Sequence, residues 1–226
     1  MNTIQEQKLK EAFATSDFFQ LLSLSLRLPT IELAEALLDG SYRQDGINIL
    51  EELSCSQGDL SLVSEALDRL KGSKVDATPL LIEMRREYTR LFDDPKQPAL
   101  NIYETLFLHP EDNQGAMLFI SPTALNVERC YREAGVSLVR QSAEPADHMA
   151  TELEFMMYLY GKKGQALQEQ NNEELEKIAQ QIQQFEEMHL KKWCVEFFNG
   201  LQTESTSTSY QALAKLAKTG LGHLGT

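Results

Sequence analysis

The chain has 226 residues, and its 34 Asp and Glu against 21 Lys and Arg leave a formal charge of −13. That length suits one large domain or two small ones and buries a core without disulfide or metal staples, while 42% hydrophobic and 24% charged residues exclude wholesale disorder. The acid excess runs against nucleic acid, which requires clustered Lys and Arg, and favours a cationic partner.

Leucine occurs 34 times, and valine and isoleucine together 15 times. With no sustained alternation of apolar and polar residues, helices are expected throughout. The first runs mostly unbroken from Thr3 to Leu28 and is ended by Pro29. Its apolar stretch from Phe18 to Leu28 is interrupted by Gln20, Ser23, Ser25 and Arg27, so no bilayer span and no stable membrane insertion is expected. Met1 to Lys10 carries Gln, Glu and Lys where a secretory leader would be apolar, which points to a cytoplasmic protein. Thr30 caps a second helix that stops before Gly40. Shorter helices follow near Ile47 to Cys55 and Leu60 to Lys71, and Thr78 with Pro79 opens one that reaches Phe92.

From Asp93 to Ser121 the periodicity fails, with Pro95, Pro98, Pro110 and Gly115 as punctuation. Leu100, Ile102, Tyr103, Leu106, Phe107 and Leu108 are too apolar for open water, so this segment is expected to pack as a hinge between two helical parts. Ser121 with Pro122 opens the next helix and Gly135 closes it. Another opens at Glu144 and Pro145 and carries the stripe Met149, Leu153, Met156, Met157 and Tyr160, with Gly161 and Gly164 weakening its end. A third, Glu173 to about Phe198, repeats Leu175, Ile178, Ile182, Phe185, His189 and Trp193 at helical spacing. A Ser/Thr-rich loop from Gly200 to Ser209 precedes a short closing helix, Tyr210 to Lys218. The expected fold is all-α, a bundle of about ten or more helices, divided as 1–92, 93–121 and 122–226.

Few motifs carry chemistry. Cys55, Cys130 and Cys194 are scattered and odd in number, which suits reduced buried thiols. Gly161-Lys162-Lys163-Gly164 follows a helix and is no phosphate loop, and no nucleophile elbow occurs. Glu186 and His189 match one half of the Glu-x-x-His pair of di-metal carboxylate bundles. With His148 they define the alternative reading, a helical-bundle metal enzyme. The densest cluster is Glu144-Pro145-Ala146-Asp147-His148. Pro and Asp are ordinary helix-start residues, whereas a histidine there fits best as a neutral donor and acceptor beside two carboxylates.

In order, Glu87-Tyr88-Thr89-Arg90-Leu91-Phe92, Pro95, Tyr103-Glu104-Thr105, Tyr131 with Gly135, Glu144 to His148, and Phe185 with His189, Leu190 and Trp193 resemble the TorD/DmsD/NarJ family of molybdoenzyme maturation chaperones. Asp94 and Ile102 depart from the glycine and proline usual at those places. The resemblance implies an all-helical, non-enzymatic chaperone with no cofactor and no metal of its own. Its partner would be the catalytic subunit of a molybdenum oxidoreductase, held by its N-terminal signal peptide, commonly a twin-arginine signal, and proofread until the cofactor is inserted. By residue match the peptide site falls on Leu91, Phe92, Pro95, Tyr103, Glu104, Pro145, Asp147 and His148, with Glu144 as a further carboxylate. Glu104, Glu144 and Asp147 are expected to accept from arginine, and the apolar residues to wall the peptide. The oligomeric state implied is a monomer or a domain-swapped dimer.

Overall fold

The computed structural model describes residues 3–71, 76–110, 121–137 and 145–225. Among them the secondary structure is helical: α1 (Thr3–Ser25), α2 (Ile31–Asp39), α3 (Ser41–Glu52), α4 (Gln57–Asp68), α5 (Thr78–Tyr88), α6 (Glu104–Leu108), α7 (Pro122–Glu133), α8 (Met149–Gln168), α9 (Asn172–Met188), α10 (Cys194–Glu204) and α11 (Thr208–Leu224). Among the described residues an isolated antiparallel bridge joins Tyr103 and His148. The fold is all-α, as expected.

Helix boundaries follow local chemistry. Thr30 accepts from the Leu33 N–H to start α2, and Gly40 ends it at φ 86°, a backbone shape that a Cβ disfavours. Ser121 caps α7 through the Ala124 N–H, with Pro122 in its first turn and Gly135 at φ 79° beyond its end. Thr78 does not cap α5 but lies inside it. Asp76 Oδ1 accepts the Thr78 N–H at 2.8 Å instead, and α5 widens into a π-helical turn, Thr89–Asp93. The chain then folds back, so that the carbonyls of Arg90 and Leu91 accept from Ala99 N and Leu100 N at 3.2 and 2.8 Å.

Two elements differ from the periodicity reading in length. α8 passes through Gly161 and Gly164 to Gln168, because a Cβ at Gly164 would lie 2.7 Å from the Phe13 ring: the glycine admits α1. The expected helix from Glu173 to Phe198 breaks at His189 (φ −132°, ψ −81°) into α9, a 3₁₀ turn Leu190–Lys192, and α10. α10 then continues to Glu204, and α11 begins at Thr208 and runs on to Leu224.

The chain forms two compact units, each drawn from two separated stretches: Met1–Ser23 with Ile102–Cys194, and Leu24–Asn101 with Val195–Thr226. The expected division ran serially along the chain. In the first unit α1 joins α8, with Ser16 and Ser23 hydroxyls donating to the carbonyls of Met157 (2.9 Å) and Ala150 (2.7 Å). α8 packs on α9 through buried Leu153, Met156, Ile178, Ile182 and Phe185. Each such side chain contributes roughly 1.5–3 kcal/mol. Tyr131, Phe155 and Phe185 form a ring cluster with centroids 4.6 to 6.0 Å apart.

In the second unit α4 packs on α11, α3 on α2 and α4, and α2 on α5. Phe92 meets Tyr88, Phe197 and Tyr210 at 5.2 to 6.1 Å. Its loop at Ser205 to Ser207 is held by Glu87, which accepts from the Ser205 hydroxyl (2.9 Å), Thr206 N (2.6 Å) and Ser207 N (3.3 Å).

Candidate functional site

The bridge joins the two most distinctive sequence segments. Glu104 N donates to the Asp147 carbonyl at 2.9 Å and Met149 N to the Ile102 carbonyl at 2.9 Å. Tyr103 and His148 lie edge to face, centroids 5.2 Å apart. Residues 45 positions apart in sequence therefore meet within the first unit. Beyond the bridge each enters a helix: α6 begins at Glu104, and α8 begins after His148, whose Nδ1 accepts the Ala150 N–H at 3.1 Å. Glu144–His148 was expected to open the helix. Instead Pro145, Ala146 and Asp147 precede it and His148 is the cap residue, so Nδ1 presents a lone pair to the positive helix end. Glu144 lies outside the described residues.

Beneath the bridge is a buried polar network. Asp147, fully buried, accepts at Oδ2 from the Thr105 N–H (3.0 Å) and hydroxyl (2.5 Å). The Thr105 oxygen lies 2.7 Å from Ser121 Oγ, which itself accepts the Ala124 N–H at 3.0 Å. Because the Thr105 proton goes to Asp147, the Ser121 hydroxyl donates to Thr105, giving one direction to a relay from the start of α7 to the carboxylate. The Tyr131 hydroxyl donates to the Ala146 carbonyl at 2.9 Å and fixes the segment from behind.

Two more carboxyl groups share this interior. Glu104 Oε2 is 2.7 Å from His189 Nδ1, and His189 Nε2 is 3.0 Å from Asn126 Oδ1. Glu152, on the inner face of α8, accepts from Trp193 Nε1 at 3.1 Å. Burial drives the Glu152 carboxyl well above its usual range and the nearby Glu104 charge adds to this, with the Trp193 bond opposing. Burial likewise raises Asp147, against the lowering effect of its Thr105 hydrogen bonds. Asp147 Oδ1 and Glu152 Oε1 are buried, with no hydrogen-bond partner among the described residues.

The structure thus brings Tyr103, Glu104, Pro145, Asp147 and His148 together, and only Tyr103 of the five is part-exposed. The carboxylates of Glu104 and Asp147 are engaged inside the unit, not presented to solvent. Leu91, Phe92 and Pro95 belong to the second unit, where Leu91 and Phe92 are core and Pro95 is exposed. Sequence reasoning missed Thr105, Ser121, Glu152 and the Glu104 to His189 contact. Glu152 did carry a signal, an acid among Met149, Leu153 and Met156 on the apolar stripe.

The metal alternative finds no convergence. Glu186 is bound by Lys191 Nζ (3.0 Å) and the Tyr160 hydroxyl (3.3 Å), whereas His189 faces Glu104 and Asn126. Among the described residues no three His, Cys, Asp or Glu side chains converge as a metal site. No helix of those residues is long and apolar enough to cross a membrane.

The sequence pattern of the family described as nitrate reductase delta subunit matches residues 58–199, more than half of the chain and including both bridge segments. A perchlorate reductase assembly chaperone protein of Dechloromonas aromatica (strain RCB) is 24% identical over 198 residues, covering 85% of this chain and 82% of that protein. The all-α fold, the joined motif segments and this match agree with the kinship inferred from the motifs: the chain belongs to the nitrate reductase delta subunit family, of TorD/DmsD/NarJ type, and is a non-enzymatic maturation protein.

Proposed function

We propose that this protein is a cytoplasmic assembly chaperone for a molybdenum oxidoreductase. It holds the N-terminal signal peptide of the catalytic subunit, a twin-arginine signal, and withholds export until the cofactor is inserted. The observation that carries this reading is the Tyr103–His148 bridge, which unites the two family motif segments in one place. Tyr103, the part-exposed member, is the contact for the peptide's apolar stretch, in the manner of an aromatic anchor. The buried network under it keeps the bridge in one geometry, so the peptide meets a preorganised surface. The formal charge of −13 steers the cationic leader toward the protein and makes the encounter sensitive to salt.

The test begins with co-purification from the native cell and identification of the bound catalytic subunit. Its signal peptide is then titrated calorimetrically against the wild type and Tyr103→Ala. The expected result is a loss of roughly tenfold or more in affinity, with a smaller effect for Tyr103→Phe. Unchanged affinity in a folded Tyr103→Ala protein removes the bridge from the site, and the absence of any co-purifying oxidoreductase removes the function.

A further inference from the structure

In the second unit, a groove of about 250 Å³ lies where α4, α10 and α11 converge. Leu62, Ala66 and Ala212 supply its apolar lining, and Leu62 is left 50% exposed. Its polar lining is rich in unused donors. Lys215 is half-buried on α11 and has no acidic partner among the described residues. Arg69 gives one guanidinium N–H to Glu65 at 2.8 Å, a pair exposed at both ends and therefore weak, which leaves its other donors free. Gln202 accepts from Lys218 Nζ at 2.7 Å through its carbonyl oxygen, so its amide hydrogens remain available. Two cations against the single, already paired Glu65 make this groove locally positive in a chain whose formal charge is −13.

We propose that this groove docks a short segment of a partner polypeptide in which an Asp or Glu carboxylate stands beside an aliphatic or aromatic side chain. The carboxylate takes charge-assisted hydrogen bonds from Lys215 and Arg69. The apolar side chain covers Leu62 and Ala66, and Ala212 forms the floor. The volume is below the roughly 300–1,000 Å³ typical of sites for drug-sized ligands and suits one or two side chains. Free phosphate would satisfy the cations but leave Leu62 in water. A cationic leader peptide is repelled here, so the site takes different chemistry from the Tyr103–His148 bridge and stands or falls independently of that reading.

The experiment is amide-resolved NMR titration of the full chain with the peptide acetyl-Ala-Leu-Asp-Leu-Ala-amide and its control with lysine in place of aspartate. Saturable shifts at the Ala66, Thr208 and Ala212 amides are expected with the acidic peptide and none with the control. Lys215→Glu should weaken binding about tenfold, and Lys215→Gln by less, both with otherwise unchanged spectra, since Lys215 makes no ion pair among the described residues. Four titration results overturn the proposal. These are no shifts at those amides, equal response to the lysine peptide, full affinity retained in Lys215→Glu, or the same shifts produced by inorganic phosphate alone. Shifts that appear on concentrating the protein without peptide also overturn it, because the occupant is then a second copy of this chain.

Discussion

Asp147 and Thr105 are joined twice, by the Thr105 N–H and by its hydroxyl, both directed at one carboxylate oxygen in a fully buried position. This pair of hydrogen bonds fixes the start of α6 to the segment before α8, and through Ser121 it also ties in the start of α7. Asp147→Ala leaves the buried Thr105 N–H without its acceptor and removes one partner of the Thr105 hydroxyl, which should cost about 2 kcal/mol. Asp147→Asn keeps an acceptor and removes a charge that burial disfavours, so it should cost under about 1 kcal/mol. Urea unfolding separates the two: equal losses would show that shape, not acceptance, matters at this position.

Glu152 should report on pH in the opposite sense to a paired surface acid. Its folded-state pKa lies well above the ordinary 4.5, so the folded protein keeps a proton that the unfolded chain releases. Stability from this group is complete below the unfolded pKa and declines as pH rises toward the folded one. Glu152→Gln, which mimics the neutral acid, should therefore be more stable than wild type at pH 8 and show a flatter profile above pH 5. Thermal melts across that range test this, and a variant less stable than wild type at pH 8 refutes it.

Glu87 behaves in the reverse way. Its bonds with Arg90 come first in holding the carboxyl down, to about 2, assisted by Thr206 N and the Ser205 hydroxyl. Its contribution is present above the unfolded pKa and is lost as pH falls through that window toward 2. Glu87→Ala should cost about 2 kcal/mol, because it takes the acceptor from the Ser205 hydroxyl and the Thr206 and Ser207 N–H groups and frees that loop, whereas Arg90 is 40% exposed and keeps the Glu204 carbonyl. Limited proteolysis should then cut between α10 and α11, where the wild type resists.

Gly40 offers a backbone test. At φ 86° it both ends α2 and precedes α3. Gly40→Ala should destabilise by roughly 1–2 kcal/mol, whereas Gly58→Ala in α4, where an added Cβ meets only Ser56 Oγ at 3.8 Å, should be neutral or stabilising. Equal effects at the two positions would exclude strain as the cause.

How far the sequence carries can be judged residue by residue. Thr30, Gly40, Ser121 with Pro122, and Gly135 marked real boundaries, because caps and left-handed turns are decided by a few neighbouring atoms. The break at His189 was invisible, since the apolar spacing continues through it to Trp193. What interrupts the helix is a side chain held by Glu104, eighty-five residues away. The extent of α8 was obscured for a related reason: two glycines that weaken an isolated helix serve close packing on Phe13 and Ser16. At the site, residue identity was legible but exposure was not. Glu104 and Asp147 look like surface acids in a chain of formal charge −13, and only tertiary pairing turns them inward.

The interleaving of the two units governs how the protein is made. Cys194 must leave the ribosome before the unit begun by Met1–Ser23 has all its parts, and the other unit waits for α11. At translation speeds of about 5–20 residues per second, α1 remains unsheltered for roughly ten to thirty seconds. Removing α10 and α11 would strip the second unit of one of its two stretches while leaving both stretches of the first nearly whole.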